Sequence, residues 1–225
     1  MNAEGGVRSA EQTHDRKLLV LFAVRDEAKY FQPPGPDCGV VISGIGKANA
    51  ERALLKSIEG GSPRLVLTCG YAGGLNPQFK HGDVVFDSDA GGELAGALKK
   101  LGAKPGRFHC ADRIITTIAE KQALLKAKGA DAVEMESGVI RELCGQRGIP
   151  SATIRVISDD AGQNLPMDFN CVAGADGNMN YFKLAAALAK SPSLVPKLMR
   201  FQRELDACSH RLSEVLGKLL VGLRG

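Results

Sequence analysis

The sequence is poor in the features that would send it to a membrane, a metal or a nucleic acid. No apolar run approaches the ~18 residues that a bilayer crossing needs, and the opening MNAEGGVRSAEQTHDRK lacks the apolar centre of a secretory signal. Residues 1–15 are therefore read as a polar, disordered leader, and the protein as cytoplasmic. The six cysteines (Cys38, Cys69, Cys110, Cys144, Cys171, Cys208) form no CxxC pair, and the four histidines (His14, His81, His109, His210) are as widely dispersed. Neither a metal site nor a thiol nucleophile is expected, and the cysteines read as reduced and mostly buried. The net charge of +4 is too small to argue for nucleic acid, but it is unevenly placed. From Tyr181 onward, eight Lys or Arg face three acids.

What is present suits one large domain over 16–225: 225 residues, 44% hydrophobic and 24% charged. The apolar runs KLLVLFAV (17–24), GVVIS (39–43) and RLVLTC (64–69) read as strands buried on both faces. GDVVFD (82–87), DAVEM (131–135) and SATIRVIS (151–158) predict further strands. Helical spacing with a glycine stop marks GKANAERALLKSIEGG, TTIAEKQALLKAKG (116–129) and ESGVIRELCGQRG (136–148). Strands alternating with helices predict an α/β fold, a mostly parallel sheet covered on both sides. A softer loop over 164–178 leads to a helical tail at about 178–223.

In such sheets ligands sit beyond the carboxyl ends of the strands. That rule selects Glu27, the loop from Ser43 to Lys47, the loop from Gly70 to Gly74, the junction from Glu134 to Glu136, and Ser158 with Asp159. SGIGKANA (43–50) opens a helix, where backbone N–H groups at Gly44 and Gly46 can hold an anion or a ribose hydroxyl; a simple tight turn explains it equally. TCGYAGGL (68–75) either admits a ligand close to the backbone or makes a sharp reversal. In RVISDDA (155–161) a buried Arg155 needs a carboxylate partner, while Asp159 is either a helix cap or a proton donor.

Taken together and in order, AVRDEA, SGIGKANA, GYAGGL with GDVV, VEMES and RVISD resemble the purine nucleoside phosphorylase and nucleosidase superfamily, which includes methylthioadenosine/S-adenosylhomocysteine nucleosidase. The tail, LPMDFN through ADGNMNYFKLAAALAKSPSLVPKLMRF, is similar to the hopanoid-associated branch, which acts on adenosylhopane. The resemblance implies a three-layer fold and cleavage of the N-glycosidic bond of an adenine nucleoside, with no metal or organic cofactor. Water or phosphate would be the acceptor.

By the same resemblance Glu27 activates the water, Glu136 binds the ribose hydroxyls, Met135 packs on the sugar, and Asp159, beside Ser158, protonates the purine. Glu134 becomes a supporting residue paired with Arg155. Gly70, Tyr71 and Ala72 line the sugar loop, and Ile114 and Ile115 lie by the base. Phe169 reaches a neighbouring subunit's pocket, which implies a homodimer. Tyr71 stands where the family carries a small serine, so it either crowds the site or substitutes its hydroxyl. Thr68 stands where hexameric phosphorylases carry a phosphate-binding arginine, and Arg25 is a substitute anion ligand. The basic tail is read either as a helix packed on the sheet or as a peripheral contact with the inner face of a membrane. A phosphorylase, a nucleoside-binding relative without turnover and, more remotely, a dinucleotide oxidoreductase remain as alternatives.

Overall fold

Strand β1 (Leu18–Phe22) is apolar at every position and buried at every position. In the computed structural model, which describes residues 17–172 and 181–223, it forms the second position of an eight-stranded sheet. The predicted leader and residues 173–178 of the predicted loop lie outside the described residues. The other strands are β2 (Cys38–Ile42), β3 (Leu65–Gly74), β4 (Val84–Ser88), β5 (Lys104–Pro105), β6 (Phe108–Cys110), β7 (Ala132–Glu134) and β8 (Ser151–Asp159). Their order is β2-β1-β3-β8-β4-β5, with β7 pairing the far end of β3 and β6 pairing β7. The pairs β1–β2, β1–β3, β3–β8, β4–β5 and β6–β7 are parallel, while β4–β8 and β3–β7 run antiparallel. The predicted α/β architecture is therefore present, as a mixed, mostly parallel sheet.

Helices cover both faces: α1 (Lys47–Ile58), α2 (Gly92–Lys100), α3 (Ile118–Lys128), α4 (Ser137–Gln146), α5 (Tyr181–Lys190) and α6 (Leu194–Gly222). Side chains alternate across a strand, and that alternation divides the core. Leu18, Val20 and Phe22 join Leu67, Ile154 and Val156 beneath Leu94 and Leu98 of α2 and Leu212, Leu216 and Leu219 of α6. Leu19, Leu21 and Val66 face Ala50 and Leu54 of α1 and Ile140 and Cys144 of α4. Helix α3 starts where Thr117 and Glu120 form a reciprocal capping box and ends at Gly129 in the left-handed region.

One sequence expectation changes. The glycine stretch 70–74 is the second half of β3, extended and paired with β8, and neither a loop nor a reversal. Its one irregularity is a register shift between Ala72 and Gly73. The tail is two helices, and α6 packs on the sheet, the first of the two readings given for it.

Candidate active site

Residues of one parity on β3 and β8 point to the α1/α4 face: Thr68, Gly70 and Ala72 on one strand, Arg155 on the other. Arg155 is 1% exposed, and charge in such a place requires partners. Its Nη2 donates to Glu134 Oε2 at 2.7 Å, Thr68 Oγ1 at 3.1 Å and Glu136 Oε2 at 3.3 Å, and its Nη1 donates to the Cys69 carbonyl at 3.2 Å.

Glu134 ends β7 and turns back on the start of α4. Its Oε2 accepts the Glu136 and Ser137 N–H groups at 2.9 and 2.7 Å, and its Oε1 accepts the Ser137 hydroxyl at 2.7 Å. It thus satisfies free donors at a helix N-terminus while neutralising Arg155, the supporting role expected for it. Glu136 links Arg155 to the start of α1. Its Oε1 accepts the Gly46 N–H at 2.8 Å. The anion held at the start of α1 is therefore the protein's own carboxylate. Gly46 manages this with φ of 90°, and Gly44 has φ of 88° in the same turn. Burial pushes the Glu136 carboxyl up to about 7, against the pull of Arg155.

Glu27 reaches this cluster from the turn after β1. Its Oε2 accepts the Ala23 and Val24 N–H groups at 2.8 and 3.1 Å, and its Oε1 accepts the Tyr71 N–H at 2.9 Å. It is 5% exposed, and burial raises its carboxyl above the usual range, opposed by Arg155 and those N–H groups. Gly70, at φ of 151°, lies between Glu27 and Arg155, and a methyl there would overlap Glu27 Oε1 and Arg155 Nη1. The Glu27 carboxylate and the guanidinium approach because this residue has no side chain.

Asp159 closes β8 on the same side. Ser158 Oγ lies 2.6 Å from its Oδ1. Its Oδ2 accepts from Lys121 Nζ at 2.5 Å, and Lys121, on α3, is fully buried. Burial raises the Asp159 carboxyl, with Lys121 pulling it down. Sequence reasoning missed Lys121, because a lysine in the first turn of a charged helix reads as solvated. The only available signal was its apolar neighbourhood, IAEKQALL.

The remaining expected residues form a rim or fall outside. Met135 is half-buried between the two glutamates. Ile114 is clamped by Asn170, whose amide bonds both its N–H and its carbonyl. Ile115 packs into the small core of Leu75, Ala111 and Val133. Ala72 is buried, and its carbonyl lies 3.3 Å from Ser158 Oγ.

One expectation is corrected. Tyr71 has its N–H in the site, but strand alternation puts its ring on the opposite face, where the hydroxyl meets Ser209 Oγ at 2.5 Å and the Leu205 carbonyl at 3.3 Å. It neither crowds the sugar space nor replaces a serine there. Arg25 is exposed on the turn beside Glu27. Phe169 packs against Phe201 of its own chain, with ring centroids 5.8 Å apart. Among the described residues, no group of three His, Cys, Asp or Glu is arranged to hold a metal ion.

The model of the phosphorylase superfamily matches residues 33–92 and 85–189, which together span all of these strand ends except the Glu27 turn. The chain belongs to the phosphorylase superfamily. Among relatives in this superfamily, the 5′-methylthioadenosine/S-adenosylhomocysteine nucleosidase of Shewanella halifaxensis is 28% identical over 173 residues, covering 62% of this chain and 75% of that protein. The enzyme of the same name from Shewanella sp. W3-18-1 is 31% identical over 170 residues, covering 60% and 74%. The superfamily fold is also found in futalosine hydrolase of Helicobacter pylori, with TM-score 0.67, 18% identity, and coverage of 92% of this chain and 98% of that one. The methylthioadenosine/S-adenosylhomocysteine nucleosidase of Colwellia psychrerythraea, solved in complex with adenine, matches with TM-score 0.67 and 21% identity over 92% and 96%.

Proposed function

We propose that the chain hydrolyses the N-glycosidic bond of a 5′-modified adenine nucleoside and releases adenine. The observation that carries this reading is the gathering of two carboxylates around Arg155, Glu136 by a hydrogen bond and Glu27 across Gly70, with Asp159 on the same side of the sheet. Breaking a glycosidic bond passes through an oxocarbenium-like state and pushes electrons onto the base. Three groups meet those demands. Glu27 orients and activates the water, Glu136 accepts the ribose hydroxyls and fixes the sugar, and Asp159 protonates the imidazole ring of the departing purine. The adjacent Met135 and the rim of Ile114, Ile115 and Phe169 supply apolar contact to sugar and base. The relatives named as nucleosidases support this assignment.

Water is favoured over phosphate because the cations around the site are already committed. Arg155 is paired with Glu134 and Glu136, Lys121 with Asp159, and Lys47 with Asp112. Thr68, in place of an arginine, is engaged by Arg155. The finer substrate reading is a long apolar 5′ group such as hopane. It draws support from exposed Phe182, Val195 and Met199 on α5 and the start of α6, interspersed with Lys190, Lys197 and Arg200. A basic, partly apolar surface of this kind suits the face of an anionic bilayer, from which such a substrate would be drawn. No helix of the described residues is long and apolar enough to cross it.

The test is adenine release from adenosine, methylthioadenosine and a long-chain 5′-alkyl adenosine, each with and without phosphate. Release without phosphate, fastest on the long chain, is the expected result. Release only with phosphate would replace hydrolysis by phosphorolysis, and tight binding without release would make the chain a nucleoside-binding relative.

A further inference from the structure

Lys121 is a fully buried charge beside the candidate site. Its Nζ is enclosed by four oxygens: Asp159 Oδ2 at 2.5 Å, the carbonyls of Asp160 and Gln163 at 2.7 and 2.9 Å, and the Asp159 carbonyl at 3.4 Å. An ammonium has three hydrogens, so the three short contacts use them all. Only one of these acceptors carries charge. A pure anchor for the bend after β8 would need no carboxylate, and a pure ion pair contributes little net stability once both charges are desolvated. The lysine is also placed on a capped, rigid helix, with Thr117 and Glu120 fixing the turn from which it extends.

Resting on the nucleosidase reading, we propose that Lys121 is the proton reservoir for the leaving base, acting through Asp159. A carboxylate held against an ammonium has no proton of its own to donate, yet the departing purine needs one. The balance closes through the pair. As the bond between the sugar and the purine breaks, its electron pair moves onto the base. The Nζ–H bond of Lys121 breaks as a proton passes to Asp159, and the acid so formed gives a proton to the purine's imidazole nitrogen. Neutral lysine and a carboxylate remain; the attacking water has bonded the sugar carbon and left its proton on Glu27, and after adenine leaves that proton passes through solvent to restore the ammonium. Burial favours this traffic, because moving the proton from Nζ to Oδ2 converts two desolvated charges into two neutral groups. The other titratable groups facing Asp159 are Asp160 beside it and Cys208 of α6, and neither offers a positive charge in place of Lys121. Lys121 is a positioning and proton-supplying residue that does not touch substrate.

The test compares two substrates that differ in their need for a proton. Adenosine requires protonation of its base; p-nitrophenyl riboside leaves as a stabilised anion and does not. The wild-type enzyme is assayed on both beside Lys121→Gln, which keeps hydrogen-bond donors without a releasable proton, and Lys121→Arg, which keeps the charge but does not give up its proton. Both variants should lose on the order of 10²- to 10³-fold in kcat on adenosine, with KM nearly unchanged, and stay within a few-fold of wild type on the nitrophenyl riboside. In an Asp159→Asn background, Lys121→Gln should cost nothing further. Lys121→Arg is the fallback if Lys121→Gln does not fold, and wild-type turnover by Lys121→Arg would mean that charge alone suffices, overturning the proposal. Equal loss on both substrates would make the lysine structural and also overturn it. A wild-type enzyme that cleaves the nitrophenyl riboside but releases no adenine from any nucleoside would instead overturn the nucleosidase reading on which the proposal rests.

Discussion

Gly70 is the residue at which the site is most sensitive. Adding one methyl forces a side chain into the space shared by Glu27 and Arg155, and it does so at a φ that L residues rarely adopt. Overpacking and backbone strain together should make Gly70→Ala cost about 2–5 kcal/mol of stability and abolish turnover, which thermal melts and adenine release would check. Glu136 carries a different prediction. Replacing it with Gln removes a charged acceptor of ribose hydroxyls, so KM should rise by roughly 10- to 100-fold, the effect of one charge-assisted hydrogen bond. The change should be much smaller on a dideoxynucleoside. The pH dependence of stability follows from the same group. Its folded pKa of about 7 lies above the ordinary 4.5, so the folded protein holds the proton more tightly. The stabilisation is therefore fully present below about 4.5 and is lost as pH rises through about 7. Glu136→Gln should flatten the melting temperature over that window.

At the scale of elements, β3 divides Tyr71 between two jobs, since its N–H serves Glu27 while its ring anchors α6. Tyr71→Phe should therefore cost about 1 kcal/mol of stability and leave kcat within a few-fold of wild type; a large kcat loss at unchanged stability would put the hydroxyl back in the site. Thr117→Ala, which breaks the capping box of α3, should cost a similar ~1 kcal/mol and additionally loosen Lys121. The sequence carried the parallel strands clearly, because β1, β3 and β8 are buried on both faces and contain almost unbroken apolar runs. It also placed Glu27, Glu136 and Asp159 just beyond apolar runs, and the structure has them after β1, β7 and at the end of β8. The extended state of 70–74 was hidden because three glycines in five residues look like a turn, and only pairing with β8 makes them a strand. Helix α2 was missed altogether, since GELAGALKK has two glycines and is stabilised by packing Leu94 and Leu98 beneath α6. Lys121 was illegible for a tertiary reason: its partner lies 38 residues away.

For the whole molecule, α6 is as much a part of the core as the strands. Cys208, Leu212, Val215, Leu216, Leu219 and Leu220 are all at most 2% exposed. At about 1.5–3 kcal/mol for each large apolar side chain, losing the four leucines and the valine is comparable to the ~5–15 kcal/mol by which a domain is stable. A chain truncated after Glu204 should fail to fold, a loss that circular dichroism would register; a folded, active truncation would return α6 to the status of an appendage. The opposite is expected for the exposed stretch ahead of it. Replacing Phe182 and Met199 with serine should leave the fold and adenosine turnover intact while reducing recovery with anionic vesicles. The docking of α6 has a spectroscopic consequence. The chain has no tryptophan and three tyrosines, and two of these hold α6 by their hydroxyls, Tyr71 through Ser209 and Tyr30 through Asp206. With no indole to mask them, the phenol absorbance and emission of the unlabelled protein become a built-in reporter of whether its last helix is seated.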